Sequence, residues 1–220
     1  YFSYFAKEWK SYHLAEDHPY IRSRIEQEDA ALSFADESFD VAVLELPYIF
    51  GAQPGRKPVW VFLVKSIRRM KGITFWPKGG SAMVTVKQVG QAIAGAVERN
   101  KQGNCYPVGY YNMTWKELLS VFHKYLGCPR KKIVCVPEWM FSAVAKWLKR
   151  KQKKAGIEGG LDMAKFSKMQ CSNQFIDKSL GCDFLGVQPD DIDAAIGDSV
   201  KLCVEILDHK TENVVAMKGE

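Results

Sequence analysis

The sequence has few of the features that take a chain outside the ordinary globular class. No apolar run approaches the roughly 20 residues that cross a bilayer. The aromatic first residues, Tyr1-Phe2-Ser3-Tyr4-Phe5, have neither the basic segment nor the clean apolar core of a secretory signal. None of the six cysteines (Cys105, Cys128, Cys135, Cys171, Cys182, Cys203) stands in a Cys-x-x-Cys pair, and the four histidines, at 13, 18, 123 and 209, are scattered. A structural zinc site needs its ligands in short steps, so no metal is expected. Most of the cysteines adjoin apolar residues and are expected to be buried, reduced thiols of a cytoplasmic protein. Internal repeats and low-complexity linkers are missing too. What is present suits a packed core: 220 residues, 47% hydrophobic, with an average 25% charged.

Net charge is small everywhere except in one place. Residues 129–154 hold nine Lys/Arg against Glu138 alone, while the chain as a whole sums to +6. The rest is therefore slightly acidic, which excludes a uniformly basic nucleic-acid coat. Within the basic segment, apolar residues recur at 139, 140, 143, 144, 147 and 148, and Lys149-Arg150-Lys151-Gln152-Lys153-Lys154 follow. This predicts a helix over 138–154 whose apolar stripe docks on the domain and whose basic end is solvated. A peripheral membrane contact through the same helix is the alternative. No aromatics interleave the basic run, so no nucleic-acid stacking platform is expected.

Elements alternate. After an irregular aromatic start, Pro19 opens a helix over 20–35. Phe39 to Leu46 is apolar on both faces, as buried parallel strands are, and Pro47 closes it. Helices are predicted at about 58–70, up to 99, from Thr114 to Gly127, and near 161–169 and 190–207. Strands are predicted at Ile73–Trp76, Met83–Val86, Asn104–Val108 and Ile133–Val136. Thr114-Trp115-Lys116-Glu117 has the spacing of a capping box. The tail after 207 is expected to fray. The alternation argues an α/β class with an at least partly parallel sheet. The acidic pairs Glu16-Asp17, Glu28-Asp29 and Asp190-Asp191 are read as exposed or capping. His13 and His18 are read as solvent-exposed, and His123 as structural.

One constellation carries chemistry. Tyr20 and Arg24 lie one helical turn apart on one face. A cation beside a phenol favours the phenolate and draws its proton chemistry toward neutral pH. The run Pro19-Tyr20-x-x-x-Arg24, then strand Asp40–Leu46, then Pro47-Tyr48-Ile49-Phe50-Gly51, resembles a stretch of the extended short-chain dehydrogenase/reductases. That family includes NAD-dependent epimerases and dehydratases of nucleotide sugars. Its pattern is Tyr-x-x-x-Lys followed about thirty residues on by a Pro-containing turn and Gly; here Gly51 lies 31 residues after Tyr20. Met83–Val89, Gly103–Gly109 with Met113–Leu118, and Asp177–Ser179 with Leu185–Pro189 are similar to later segments of the family, in the same order.

The resemblance implies a Rossmann-like parallel sheet ending in residues 1–55, intermixed with a small α/β substrate domain over 56–220. It implies NAD or NADP as cofactor, Tyr20 as acid/base, and Arg24 on the nicotinamide ribose. Leu46, Pro47, Tyr48 and Ile49 would form the turn beneath the nicotinamide. Phe50, Gly51, Trp76 and Met83 would line the pocket of a small-molecule substrate, a nucleotide sugar or another hydroxyl or carbonyl compound. Helix 20–35 would stand where the family dimerises, so a homodimer is expected. Arg24 replaces the family lysine, Tyr48 stands where an asparagine is frequent, and Glu45 replaces a frequent arginine. The glycine-rich dinucleotide fingerprint is missing, since Gly90 and Gly95 have neither its spacing nor its context. The chain is thus expected to be the later part of a longer enzyme, inactive alone, with Ser3 the nearest candidate for the hydroxyl that assists the tyrosine. The competing reading is a non-catalytic, dinucleotide-linked binding or regulatory protein.

Overall fold

Strands that are apolar on both faces need cover on both faces, and here they alternate with helices that supply it. The computed structural model describes residues 1–53, 55–154 and 161–209, without the side chains of Leu148 and residues 151–154. The expected fraying after 207 falls mostly on residues 210–220, outside the described residues. The result is an α/β fold with small, largely parallel sheets.

The aromatic start is not irregular. Phe2–Glu8 forms α1 and Leu14–Asp17 the single-turn α2, with a 3-10 turn at Lys10–Tyr12 between them. Tyr1, Phe5, Trp9 and Tyr12 meet ring to ring at successive centroid distances of 5.2, 4.5 and 5.1 Å. Aromatic packing therefore orders the segment, its rings recurring at helical steps of four, four and three residues. Pro19 takes the first turn of α3 (Pro19–Leu32), with His18 and not Asp17 at the N-cap position and no side-chain capping bond.

Strand β1 (Val41–Glu45) runs parallel to β5 (Gly103–Pro107), Val41 opposite Gly103. Past Pro47 the chain starts a second strand, β2 (Tyr48–Phe50), which joins a different sheet. There it pairs in parallel with the end of β4 (Gly80–Thr85), while β6 (Tyr111–Thr114) runs antiparallel along the other edge of β4. The short β8 (Asn173–Gln174) extends the β2 side, so β4 is bonded along both edges and buried at all its positions. A separate parallel pair joins β3 (Ile73–Pro77) to β7 (Lys132–Val136). Strands on either side of residue 55 are thus interleaved.

The helices follow their sequence signals closely. They are α4 (Val61–Arg69), α5 (Val86–Arg99), α6 (Trp115–Tyr125), α7 (Glu138–Lys154), α8 (Met163–Gln170) and α9 (Ile192–Leu207). Thr114 caps α6 with the full reciprocal box, and Thr85 with Gln88 builds a second one on α5. Gly95 of α5 is obligatory, because a Cβ there would stand 1.9 Å from the Leu185 carbonyl oxygen. The largest core cluster packs Phe50, Trp60, Trp115, Leu118 and Phe122 against Ile196 and Val200.

Two expectations about burial need correction. Only Cys182 and Cys203 are buried, and the other four cysteines are half-buried, all six unpaired. The apolar stripe of α7 does not dock as a whole: Trp139 is 72% and Trp147 60% exposed, and the helix is anchored through the buried Ala145. The stripe is wider than the one face α8 can cover. The basic end at 151–154 lies outside the described side chains.

Candidate active site

The N-terminal end of α3 is laid against the C-terminal end of β1, and this juxtaposition makes a cleft of about 580 Å³. Tyr20 and Arg24 line it from the helix, and Leu46, Pro47 and Tyr48 from the bend after β1. Ser3 of α1 forms a third wall. Tyr20 is 39% exposed, with its ring edge-on to Phe2 at 6.0 Å. The Arg24 guanidinium stands over the Tyr20 ring, 5.0 Å from its centroid, and donates to Gln27 Oε1 at 2.8 Å. It faces the π cloud of the phenol, a cation–π contact.

The floor of the cleft is a polar cluster that sequence reasoning missed. Glu28 and Glu45, each 3% exposed, come from α3 and β1. Ser3 Oγ donates to Glu45 Oε1 at 2.8 Å, Lys7 pairs with Glu28, and the Cys105 thiol donates to the same Glu28 oxygen at 3.1 Å. Burial raises the pKa of Glu28, but the hydrogen bonds from Lys7, Ser3 and Cys105 outweigh it and hold it below the usual value. Glu45 goes the other way, because burial outweighs its hydrogen bond from Ser3 and pushes it up. Burial, with Glu28 beside it, drives the Cys105 thiol to about 12, so it stays protonated. Glu28 is therefore not the exposed acid it resembled. Its only signal was position: i+8 from Tyr20, on the same face.

The other predicted residues part company with the cleft. Ile49 turns its carbonyl to Trp60 Nε1 at 3.0 Å and packs against the core around Val84. Phe50, expected in the substrate pocket, is fully buried and stacked on Trp60 at 4.4 Å. Met83, expected there too, is equally buried, because β2 lies beside β4 with Tyr48 opposite Met83 and both strands are covered by helices. Gly51 adopts φ +136°, open essentially to glycine alone. Its N–H donates to Ser199 Oγ at 2.8 Å, so it holds the strand end in place. Trp76 lines a different space, an apolar chamber beneath α7, whose wall also includes Tyr48. His18 is buried, not exposed. Its Nδ1 accepts from the Asp162 N–H at 3.2 Å, and its Nε2 has no partner among the described residues. His123 is buried between Thr74 Oγ1 at 2.9 Å and the Lys131 carbonyl at 3.1 Å. Asp191 caps α9 through the Ala194 N–H.

No protein-family model matches the chain, and no curated protein does. Solved structures do. A nucleoside-diphosphate-sugar epimerase from Pseudomonas aeruginosa superposes with a TM-score of 0.62 at 16% identity, over 85% of this chain and 55% of that one. A UDP-glucose 4-epimerase from Bifidobacterium longum, in complex with NAD+ and UDP, superposes with 0.54 at 16% identity, over 90% and 56%. A dTDP-glucose 4,6-dehydratase from Bacillus anthracis, in complex with NAD, gives 0.53 at 14%, over 85% and 52%.

The chain shares their fold. It spans about half the length of each. At these identities the likeness concerns architecture, an α/β fold with parallel strands, and the chemistry must be argued from the cleft.

Proposed function

We propose that this chain supplies the proton-handling part of an NAD(P)-dependent epimerase, dehydratase or reductase that acts on a small hydroxyl or carbonyl substrate. The observation that supports the reading is the convergence of Tyr20, Arg24 and the Leu46-Pro47-Tyr48 bend on one cleft. Three solved enzymes of the same fold are described as bound to NAD or NADPH, which adds to it.

The cleft fits one half of a dinucleotide. Its volume and its mixed lining suit a nicotinamide riboside, with Leu46 and Pro47 against the flat ring and Arg24 near the ribose. It does not fit the pyrophosphate. Arg24 is the one cation among the described lining residues, and it is engaged with Tyr20 and Gln27. A nicotinamide cofactor, when bound, supplies or accepts the hydride. Tyr20 would donate a proton from its phenolic oxygen to the substrate oxygen, or take one from it. Arg24, over the ring face, fixes the ring's orientation. Tyr48, pushed up to about 12 by burial, stays protonated and offers a neutral hydrogen-bond donor at the cleft wall. Residues 1–55 would belong to the nucleotide-binding side and the remainder mainly to the substrate side.

Tyr20→Phe in the native protein tests the reading. Turnover should fall by roughly 10²–10⁴-fold, the usual worth of a positioned acid/base. Undiminished turnover would overturn it and favour the non-catalytic alternative.

A further inference from the structure

The apolar chamber beneath α7 has a volume of about 560 Å³, within the range of about 300–1,000 Å³ that small-molecule pockets occupy. Trp60, Trp115 and Leu118 form one side, Trp76 another, and Phe141 and Val144 of α7 cover it. No Lys, Arg, Asp or Glu stands among the described residues that line it. Three indoles line it, and two of them have already used their N–H groups. Trp60 Nε1 donates to the Ile49 carbonyl and Trp115 Nε1 to the Gln170 carbonyl, each at 3.0 Å. What remains is ring face and alkyl chain, with the Trp76 indole N–H and the Gln170 side chain as minor polar features.

Tyr48 stands between this chamber and the cleft of Tyr20, for it lines both. Its ring lies 5.2 Å from Trp60 and 5.5 Å from Trp115. Among the described residues its hydroxyl makes no hydrogen bond. A few neutral hydrogen-bonding groups in an otherwise hydrocarbon wall select for a molecule with one oxygen and a large apolar body. A nucleotide sugar is the reverse. Its diphosphate carries charge that must be met by cations or backbone N–H groups, and desolvating it against tryptophan and leucine is prohibitive.

We infer that this chamber is the substrate pocket and that it takes an uncharged, largely hydrocarbon or aromatic ketone or alcohol, not a nucleotide sugar. The inference rests on the Tyr20 reading for the word substrate, but not for the binding itself.

Isothermal titration of the native protein with 2-acetonaphthone and, separately, with UDP-glucose tests it. The ketone should bind roughly 100-fold more tightly than the sugar nucleotide. Val144→Glu, at a half-exposed position on the chamber wall, should weaken the ketone at least tenfold (about 1.4 kcal/mol) with the melting temperature unchanged. Met140→Glu, on the same wall, should repeat that result should the first variant fold poorly. Preference for UDP-glucose, or ketone binding indifferent to both variants, would overturn the pocket. Tyr20→Phe separates the two proposals, because it should leave ketone affinity intact while turnover falls. Ketone binding that is lost in Val144→Glu, together with full turnover in Tyr20→Phe, supports the pocket and sinks the acid/base role. Tyr20-dependent turnover of UDP-glucose with no ketone binding does the opposite.

Discussion

Glu45 and Glu28 share one buried cluster and are pushed in opposite directions, so their effects on stability have opposite signs. Glu45 has a folded pKa above its ordinary 4.5. Its ionisation is therefore penalised in the fold, and the penalty accrues as pH rises past the unfolded value. Glu45→Gln keeps an acceptor for Ser3 and removes the charge. It should raise the melting temperature at pH 7, by roughly 2–4 °C for each kcal/mol recovered, and change nothing near pH 3. Thermal melts at the two pH values check this. His18 titrates in the other range. Burial lowers its pKa from the usual 6.5, so its contribution is whole above 6.5 and is lost as pH falls toward the lower folded value. His18→Gln should flatten the wild-type loss of stability between about pH 6.5 and pH 5, seen in urea titrations at both ends. At this scale Tyr20, Arg24 and Pro47 were legible because their relation is local: one helical turn, and a strand ending in proline. Phe50 and Met83 were not, since which face of a strand looks inward depends on the strand that lies beside it.

Elements were legible where a backbone group needs a particular side chain. The Thr114–Glu117 box is one such case, and Thr114→Ala should cost about 1 kcal/mol in chemical denaturation with the fold retained. The aromatic α1 was readable but missed, since Tyr1, Phe5, Trp9 and Tyr12 recur at helical spacing in a segment expected to be irregular. Strand β2 was hidden for a different reason. Pro47 looked like the end of a strand, and nothing local says that the next three residues enter another sheet. In α7 the period was right and the direction was not. Six apolar positions mark a helix, but only a partner decides which of them are covered, and α8 is too narrow to cover Trp139 and Trp147 along with Ala145.

For the molecule as a whole, the class and the parallel pairing followed from alternation, whereas the intermixing of segments before and after residue 55 was expected from the family resemblance and from no local pattern. Phe50 now appears as a keystone of the main core, wedged between Trp60 and Phe122. Phe50→Ala should cost about 3–5 kcal/mol, measurable as a shift of the urea midpoint. A glycine-rich pyrophosphate cradle is missing from the sequence, so the 220-residue chain alone should bind NAD+ more weakly than micromolar in a calorimetric titration.

Strand β4 takes its hydrogen-bond partners from residues 48–50, 111–114 and 173–174. A ribosome that adds about 5–20 residues per second delivers the last of these roughly 5–20 s after β4 itself has been made. For that interval the strand that ends up in the middle of the fold has an open edge in the nascent chain, and a chaperone that holds extended apolar segments would find its best foothold there.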